Sequence, residues 1–262
     1  MGQEVTMEIR GTGALVTGAS RGLGRALAEA LAGKGARVAM VARDAGPLAD
    51  AVATIRARGG IAHAIAADIA DKQAVHRIAG QAQALVGELG IVVHNASTLG
   101  PVPLRLLLDT ECEDLAAVLE TNLVGPFRLT KIVAGAMALR GATRHGSGLA
   151  GRVDETGVVV HVSSDAAVEA YPRWGAYGIS KAAQDHLSRV LAAELAGTGV
   201  RVLAVDPGEM DTKMHADAVP DADRAALQRP AEVAARIVEI IEDAGARAPS
   251  GARLVAPART QP

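Results

Sequence analysis

The sequence predicts a single doubly wound α/β domain, a parallel β-sheet covered on both faces by helices. Three observations predict it. Short apolar runs of strand length alternate with longer stretches of helical periodicity from Thr12 to Val205. That alternation requires right-handed crossovers and strands buried on both faces. Across 262 residues, 49% of them apolar and 21% charged, there is material for one large core. Finally, no internal repeat, low-complexity tail or Pro/Ser-rich linker divides the chain.

Composition excludes several function classes. The formal charge of −2 and an aromatic content of 2% leave neither a basic footprint nor stacking platforms for nucleic acid. The single Cys112 has no internal disulfide partner, and no Cys/His cluster has zinc-like spacing, so a reducing compartment and no metal are expected. Residues 1–10 contain Glu4, Glu8 and Arg10 without an apolar stretch and do not read as a secretory signal; they are read as an extension ahead of a domain spanning 11–262. No uninterrupted apolar run reaches membrane-spanning length, so a cytoplasmic protein with no membrane partner is expected.

Taken in order, Thr12 to Thr17 is the first strand. Gly18-Ala19-Ser20-Arg21-Gly22-Leu23-Gly24 follows and opens a helix running to about Lys34. Glycines serve where the backbone turns sharply or approaches a pyrophosphate, and a helix N-terminus offers amides and a positive dipole end to that phosphate. The spacing is Gly-x-x-x-Gly-x-Gly, which differs from the Gly-x-Gly-x-x-Gly of many dinucleotide folds.

Arg37 to Ala42 is the second strand, and its end is expected to meet an adenosine ribose. Arg43 there, with Arg21 in the glycine loop, offers a guanidinium pair suited to a 2′-phosphate, which favours NADP(H). Asp44 comes next, and if it faced the ribose instead the preference would pass to NAD(H). Ile61 to Ala67 is the third strand, followed by Asp68-Ile69, where the Asp can cap a helix. Gly90 to His94 is the fourth, ending in His94-Asn95-Ala96-Ser97, in which His94 is expected to be structural.

Between Glu111 and Leu139 apolar residues recur at helical spacing, with Asn122 inside that helix. Arg140 to Gly157 is glycine-rich and reads as a loop, with 141–157 as an insertion. Val158 to Val162 is the fifth strand. The stretch from Ser163 to Lys181 joins it to a helix running to about Ala196. Tyr177 and Lys181, four residues apart, lie on one face of that helix. A neighbouring ammonium pulls a phenol's pKa toward the working pH, where a general acid or base is most effective. Ser164 lies thirteen positions before Tyr177, beyond the strand, within reach of the same reacting oxygen.

Val200 to Val205 is the sixth strand, followed by Asp206-Pro207-Gly208-Glu209-Met210-Asp211-Thr212, where Thr212 can cap the next short helix. A polar segment from Lys213 to Arg229 is expected to be a mobile substrate cover, within a boundary of 211–229. A helix from Pro230 to about Asp243 and a strand from Arg253 to Ala256 complete the chain.

These motifs, in this order, resemble the short-chain dehydrogenase/reductase family of the compact kind, over nearly the whole chain. The resemblance implies a Rossmann-like fold and an oxidoreductase interconverting a small-molecule ketone or aldehyde and its alcohol. It implies a catalytic set of Asn122, Ser164, Tyr177 and Lys181, in which the Asn122 carbonyl holds a water in a proton relay to the lysine. It implies cofactor contacts from Gly18, Ser20, Arg21, Gly22, Leu23, Gly24, Arg43, Asp68, Ile69, Asn95, Ala96, Ser97, Tyr177, Lys181, Pro207, Gly208, Met210 and Thr212. Asp68 can thus touch adenine, cap a helix or do both, and Thr212 has the same two uses. His94 and Ser97 depart from the family's Asn-Asn-Ala-Gly, and Met210 from its branched aliphatic residue.

By the same analogy a homo-oligomer, dimer or tetramer, is implied, built on the helices from Glu111 and Tyr177. The substrate pocket is expected between Leu99–Leu104, Asp165–Arg173 and Lys213–Arg229, with Trp174 and Tyr171 either flanking a substrate or packing the loop.

Overall fold

The computed structural model describes residues 7–145, 156–243 and 248–256. Seven strands form one parallel sheet in the order β3-β2-β1-β4-β5-β6-β7. They are β1 (Gly13–Thr17), β2 (Arg37–Ala42), β3 (Ile61–Ala66), β4 (Leu89–His94), β5 (Gly157–Val162), β6 (Val200–Asp206) and β7 (Arg253–Val255). Between them run α1 (Gly22–Gly33), α2 (Ala45–Ala57), α3 (Ala74–Val86), α4 (Cys112–Leu119), α5 (Gly125–His145), α6 (Gly175–Glu194), α7 (Lys213–Ala218) and α8 (Pro230–Glu242). The expected doubly wound domain is what forms.

Register and side-chain alternation together divide the core in two. Leu15 lies opposite Ala39 on one side and Val92 on the other, and the row continues through Val159 to Val202. All five pack in one layer with residues of α3 and α5. The neighbouring row, Val16 with Met40, Val93, Val160 and Leu203, faces the opposite way and packs with α1, α2 and α8. On α1, Leu23, Leu27 and Leu31 recur at helical spacing and are buried in that layer. Each such leucine contributes on the order of 2 kcal/mol.

Two expectations are corrected. The helix read as continuous from Glu111 is α4 and α5 joined by a π turn over Glu120–Val124, in which the Gly125 amide bonds back to the Glu120 carbonyl. Pro126 stands four residues after Asn122 and has no N–H with which to make the regular α-helical bond to its carbonyl. The glycine-rich loop expected from Arg140 begins later, because α5 runs on to His145. Gly141 signals close packing there instead of a turn, since a Cβ on it would overlap the Thr198 carbonyl. The rest of the 141–157 insertion up to Glu155 lies outside the described residues, as do 1–6 of the N-terminal extension.

The strand order reverses between β1 and β4, the position at which open α/β sheets bind ligands at their carboxyl ends. Thr17, His94, Val162 and Asp206 end their strands around that crevice. No helix among the described residues is long and apolar enough to cross a membrane.

Candidate active site

β5 delivers Ser163 and Ser164 to the edge of the crevice. Ser164 is extended, and its Oγ accepts from the Ala166 amide at 3.2 Å and donates to Asp165 Oδ1 at 2.9 Å. α6 then starts at Gly175, so Tyr177, Ser180 and Lys181 fall in its first two turns. Gly178 is required for this approach: a Cβ there would sit 2.8 Å from the Ala166 carbonyl.

Tyr177 is buried, with the hydroxyls of Ser164 and Ser97 beside its phenol. Ser97 Oγ is itself buried and makes no regular hydrogen bond among the described residues. Burial pushes the phenol's pKa up, the two hydroxyls pull it down, and Asp165 and Asp206 add to the rise. The lowering expected from Lys181 is therefore not what governs the phenol. Lys181 Nζ lies 5.6 Å from the Tyr177 ring centre and donates to the Val162 carbonyl at 2.6 Å and to Gln184 Oε1 at 3.3 Å. Burial lowers the lysine to about 8, against the pull of Asp185 and Asp206.

Asn122 is fully buried in the π turn. Its side chain is spent on structure, with Oδ1 accepting from the Thr98 amide at 2.8 Å and Nδ2 donating to the Thr98 carbonyl and Ser180 Oγ, both at 2.9 Å. Its main-chain carbonyl accepts from Gln184 Nε2 at 2.8 Å. Ser164, Tyr177, Lys181 and Asn122 thus meet at one place, and Gln184 stands between the last two.

Sequence reasoning missed Gln184 and a charged network behind the site. Arg253 on β7 donates from Nε to Asp185 Oδ2 at 3.0 Å, and from Nη2 to Asp206 Oδ2 at 3.0 Å and the Ser164 carbonyl at 2.8 Å. Ser163 Oγ donates to the same Asp185 oxygen at 2.9 Å. Asp185 lies four residues after Lys181, a signal that helical spacing alone could have raised. Below them His94 and His161 stack at 4.9 Å, His94 against Thr130 and His161 against Ser188. Burial lowers His94 to about 3; burial, then His94 and Lys181, hold His161 well below its ordinary value. The His94 side chain is buried between Thr130 and the His161 ring.

The residues of the cofactor end fit a dinucleotide. Gly18 and Gly22 have φ of +65° and +55°. A Cβ on Gly18 would come within 2.8 Å of Ala96 Cα, and one on Gly24 would overlap the Gly18 carbonyl. Asn95 Nδ2 clamps the loop by donating to the carbonyls of Thr17 and Gly18, both at 3.1 Å, while Thr17 Oγ1 accepts from the amides of Asn95 and Ala96. The α1 N-terminus carries no acidic side chain in its first turn, which suits an anion. Ser20 lies in this loop and Leu23 in the first turn of α1, while Ile69 follows β3 with its side chain buried in the core.

Arg21 and Arg43 are exposed, and among the described residues no hydrogen bond or ion pair engages either guanidinium. Asp44 caps α2 by position only, with no side-chain bond. Asp68 Oδ1 accepts from the Ala70 amide at 2.9 Å, closing the turn after β3. Thr212 Oγ1 accepts from the His215 amide at 3.2 Å, while its methyl lies 3.5 Å from where a Gly22 Cβ would stand. It caps α7 and borders the glycine loop at once.

The segment from Lys213 to Arg229, expected to cover the substrate, contains α7 and ends at a short pairing with the turn after β6. Gln228 pairs with Met210 and Asp211, and its Nε2 reaches the carbonyls of Pro207 and Glu209. Gly208, with φ +70°, allows the bend. Met214 and Ala218 of α7 pack with Leu99, Leu104, Ala166 and Trp174 on Tyr177, forming an apolar wall beside the phenol. Trp174 meets the Tyr177 ring edge-on at 5.8 Å, while Tyr171 is exposed and donates to Asp165 Oδ2. No group of His, Cys, Asp or Glu among the described residues could hold a metal ion.

Comparisons with known proteins agree with this geometry. A family model described as short chain dehydrogenase matches residues 12–223. A short chain dehydrogenase of Pseudocercospora fijiensis is 38% identical over 228 residues, covering 85% of this chain and 67% of that one. The solved structure of a putative short chain dehydrogenase from Pseudomonas syringae superposes with a TM-score of 0.83 at 28% identity, covering 98% of this chain and all of that one. A metagenomic short-chain oxidoreductase solved in complex with NADP gives 0.74 at 27% identity, covering 95% and 99%.

Proposed function

We propose that this chain, which belongs to the short-chain dehydrogenase family, is an NADP(H)-dependent oxidoreductase interconverting a small ketone or aldehyde and its alcohol. The observation that carries the reading is the meeting of Ser164, Tyr177, Lys181 and Asn122 beside a glycine cradle in which Gly18 and Gly24 have no room for side chains.

When bound, the nicotinamide supplies or accepts the hydride at the substrate's carbonyl carbon. Tyr177 gives the carbonyl oxygen its proton in reduction and takes it back in oxidation. Ser164 steadies that oxygen by turning its hydroxyl from Asp165 toward the substrate, and Lys181 holds the cofactor ribose and places positive charge beside the phenol. The wall of Leu99, Leu104, Trp174, Met214 and Ala218 keeps water from the reacting atoms and favours a substrate with an apolar group next to its carbonyl.

The preference for NADP rests on Arg21 and Arg43, exposed near the glycine loop and the end of β2 with their guanidinium groups uncommitted among the described residues. Asp44, whose carboxylate has no side-chain capping bond, favours the second reading, an NAD-dependent alcohol dehydrogenase. Titration of the protein with NADPH and NADH at fixed salt, followed by fluorescence, separates the two. NADPH should bind at least about tenfold tighter, roughly 1.4 kcal/mol. Equal or tighter NADH binding would assign the ribose end to Asp44.

A homo-oligomer is the expected assembly, supported by Phe127 and Leu139 on α5 and Ile179 and Val190 on α6, apolar side chains left exposed on those helices. The single cysteine fits the cytoplasm.

A further inference from the structure

Gln184 is almost fully buried, one turn beyond Lys181 on α6. Its amide has one chemically allowed orientation. The Asn122 carbonyl can only accept and the Lys181 ammonium can only donate, so Nε2 must face the carbonyl, at 2.8 Å, and Oε1 the lysine, at 3.3 Å. Both partners are themselves fixed. Lys181 is held by the Val162 carbonyl, and Asn122 by its side-chain bonds to Thr98 and Ser180. Pro126 explains why the carbonyl is available: the residue that would bond it in a regular helix has no N–H.

We propose that Gln184 is a positioning residue that joins Lys181 Nζ directly to the Asn122 carbonyl, doing with a side-chain amide what a bound water would otherwise do, and that it closes the proton path at that point. The inference rests on the proposed roles of Tyr177 and Lys181. A water passes a proton on by accepting one and releasing another, whereas a primary amide keeps both its hydrogens. A proton that reaches Lys181 is therefore not passed on through the Asn122 carbonyl in this chain. The titratable groups around Lys181 are Tyr177 and Asp185 on α6, Asp206 at the end of β6 and His161 on β5. None of them supplies the link that Gln184 makes.

The test uses the full-length protein without cofactor, labelled with 15N-lysine, as wild type, Gln184→Leu and Gln184→Ala; Lys181→Arg identifies the signal. Leucine preserves volume and removes both hydrogen bonds, while alanine vacates a place for water. Gln184→Leu should lower the Lys181 titration midpoint by about half a unit or more, since the ammonium loses an acceptor. Gln184→Ala should restore it toward wild type and speed exchange of the Nζ hydrogens with solvent about tenfold or more. In wild type the Lys181 hydrogens should exchange slowest of all the lysines, a result that needs no variant to fold.

A midpoint unmoved by leucine overturns the proposal. So does alanine perturbing the midpoint more than leucine, the order a packing role would give, or exchange in Gln184→Ala as slow as in wild type. Where turnover is measured, kcat should rank wild type, alanine, leucine at nearly constant KM, and the reverse order for the two variants overturns the proposal as well. All the lysine readouts stand without cofactor. A wild-type protein that binds no NADPH and reduces no carbonyl compound would count against the functional reading, leaving the Gln184 link to be judged by the lysine signals alone.

Discussion

Arg253 Nη2 donates to the main-chain carbonyl of Ser164 at 2.8 Å, so the last strand of the sheet reaches across to the residue that opens the turn above β5. The same guanidinium meets Asp185 and Asp206, whose side chains are only 5% and 7% exposed. Its fork is what lets one side chain serve three acceptors.

Removing Arg253 takes from two buried carboxylates the cation that hydrogen-bonds them. Arg253→Ala should cost about 3–5 kcal/mol of stability in urea unfolding. Arg253→Lys, which keeps the charge and loses the fork, should recover part of that. A cost below about 1 kcal/mol for the alanine variant would show that the network is solvated and structurally idle.

The buried histidine pair makes the fold sensitive to acid. His94 is held at about 3 and His161 well below its ordinary value, so both remain neutral in the folded protein. An unfolded histidine takes up a proton below pH about 6.5. Their contribution is therefore complete above that pH and is lost as pH falls, by about 1.4 kcal/mol per unit for each histidine. Unfolding measured at pH 7, 6 and 5 should show this slope, and His94→Asn should reduce it by about one histidine's share. An unchanged slope would place the sensitivity elsewhere.

Gly24 faces the Gly18 carbonyl and Asn95 Nδ2 with no space for a Cβ. Gly24→Ala should cost about 1–3 kcal/mol and weaken dinucleotide binding about tenfold or more, because the loop has to move. Gly33→Ala, with nothing within 4 Å of its added methyl, is the control and should be neutral or slightly stabilising. Equal behaviour of the two variants would contradict the packing argument.

Local pattern carried much of this architecture. The strands from Gly13 to Asp206 are apolar runs, and the glycine loop, Asn122, Ser164, Tyr177 and Lys181 lie within or beside elements whose periodicity shows in the chain. What escaped depends on contacts distant in sequence or on a single missing donor. Gln184 bonds a carbonyl 62 residues away, and Arg253 bonds Ser164 across 89. Gly141 reads locally as a turn, and only the Thr198 carbonyl beside it explains it as a packing residue. The π turn was foreshadowed by Pro126, whose missing N–H interrupts a pattern that hydrophobic spacing alone cannot distinguish from a regular helix.

Proton exchange is assigned to Tyr177, and one paired measurement on Tyr177→Phe tests it: carbonyl reduction with NADPH alongside NADPH binding followed by fluorescence. The substitution removes the hydroxyl and keeps the ring that packs against Trp174. Turnover should fall by about a hundredfold or more while the NADPH dissociation constant stays within about twofold. Turnover close to wild type with binding intact would contradict the assignment and move the proton donor to another group at the site.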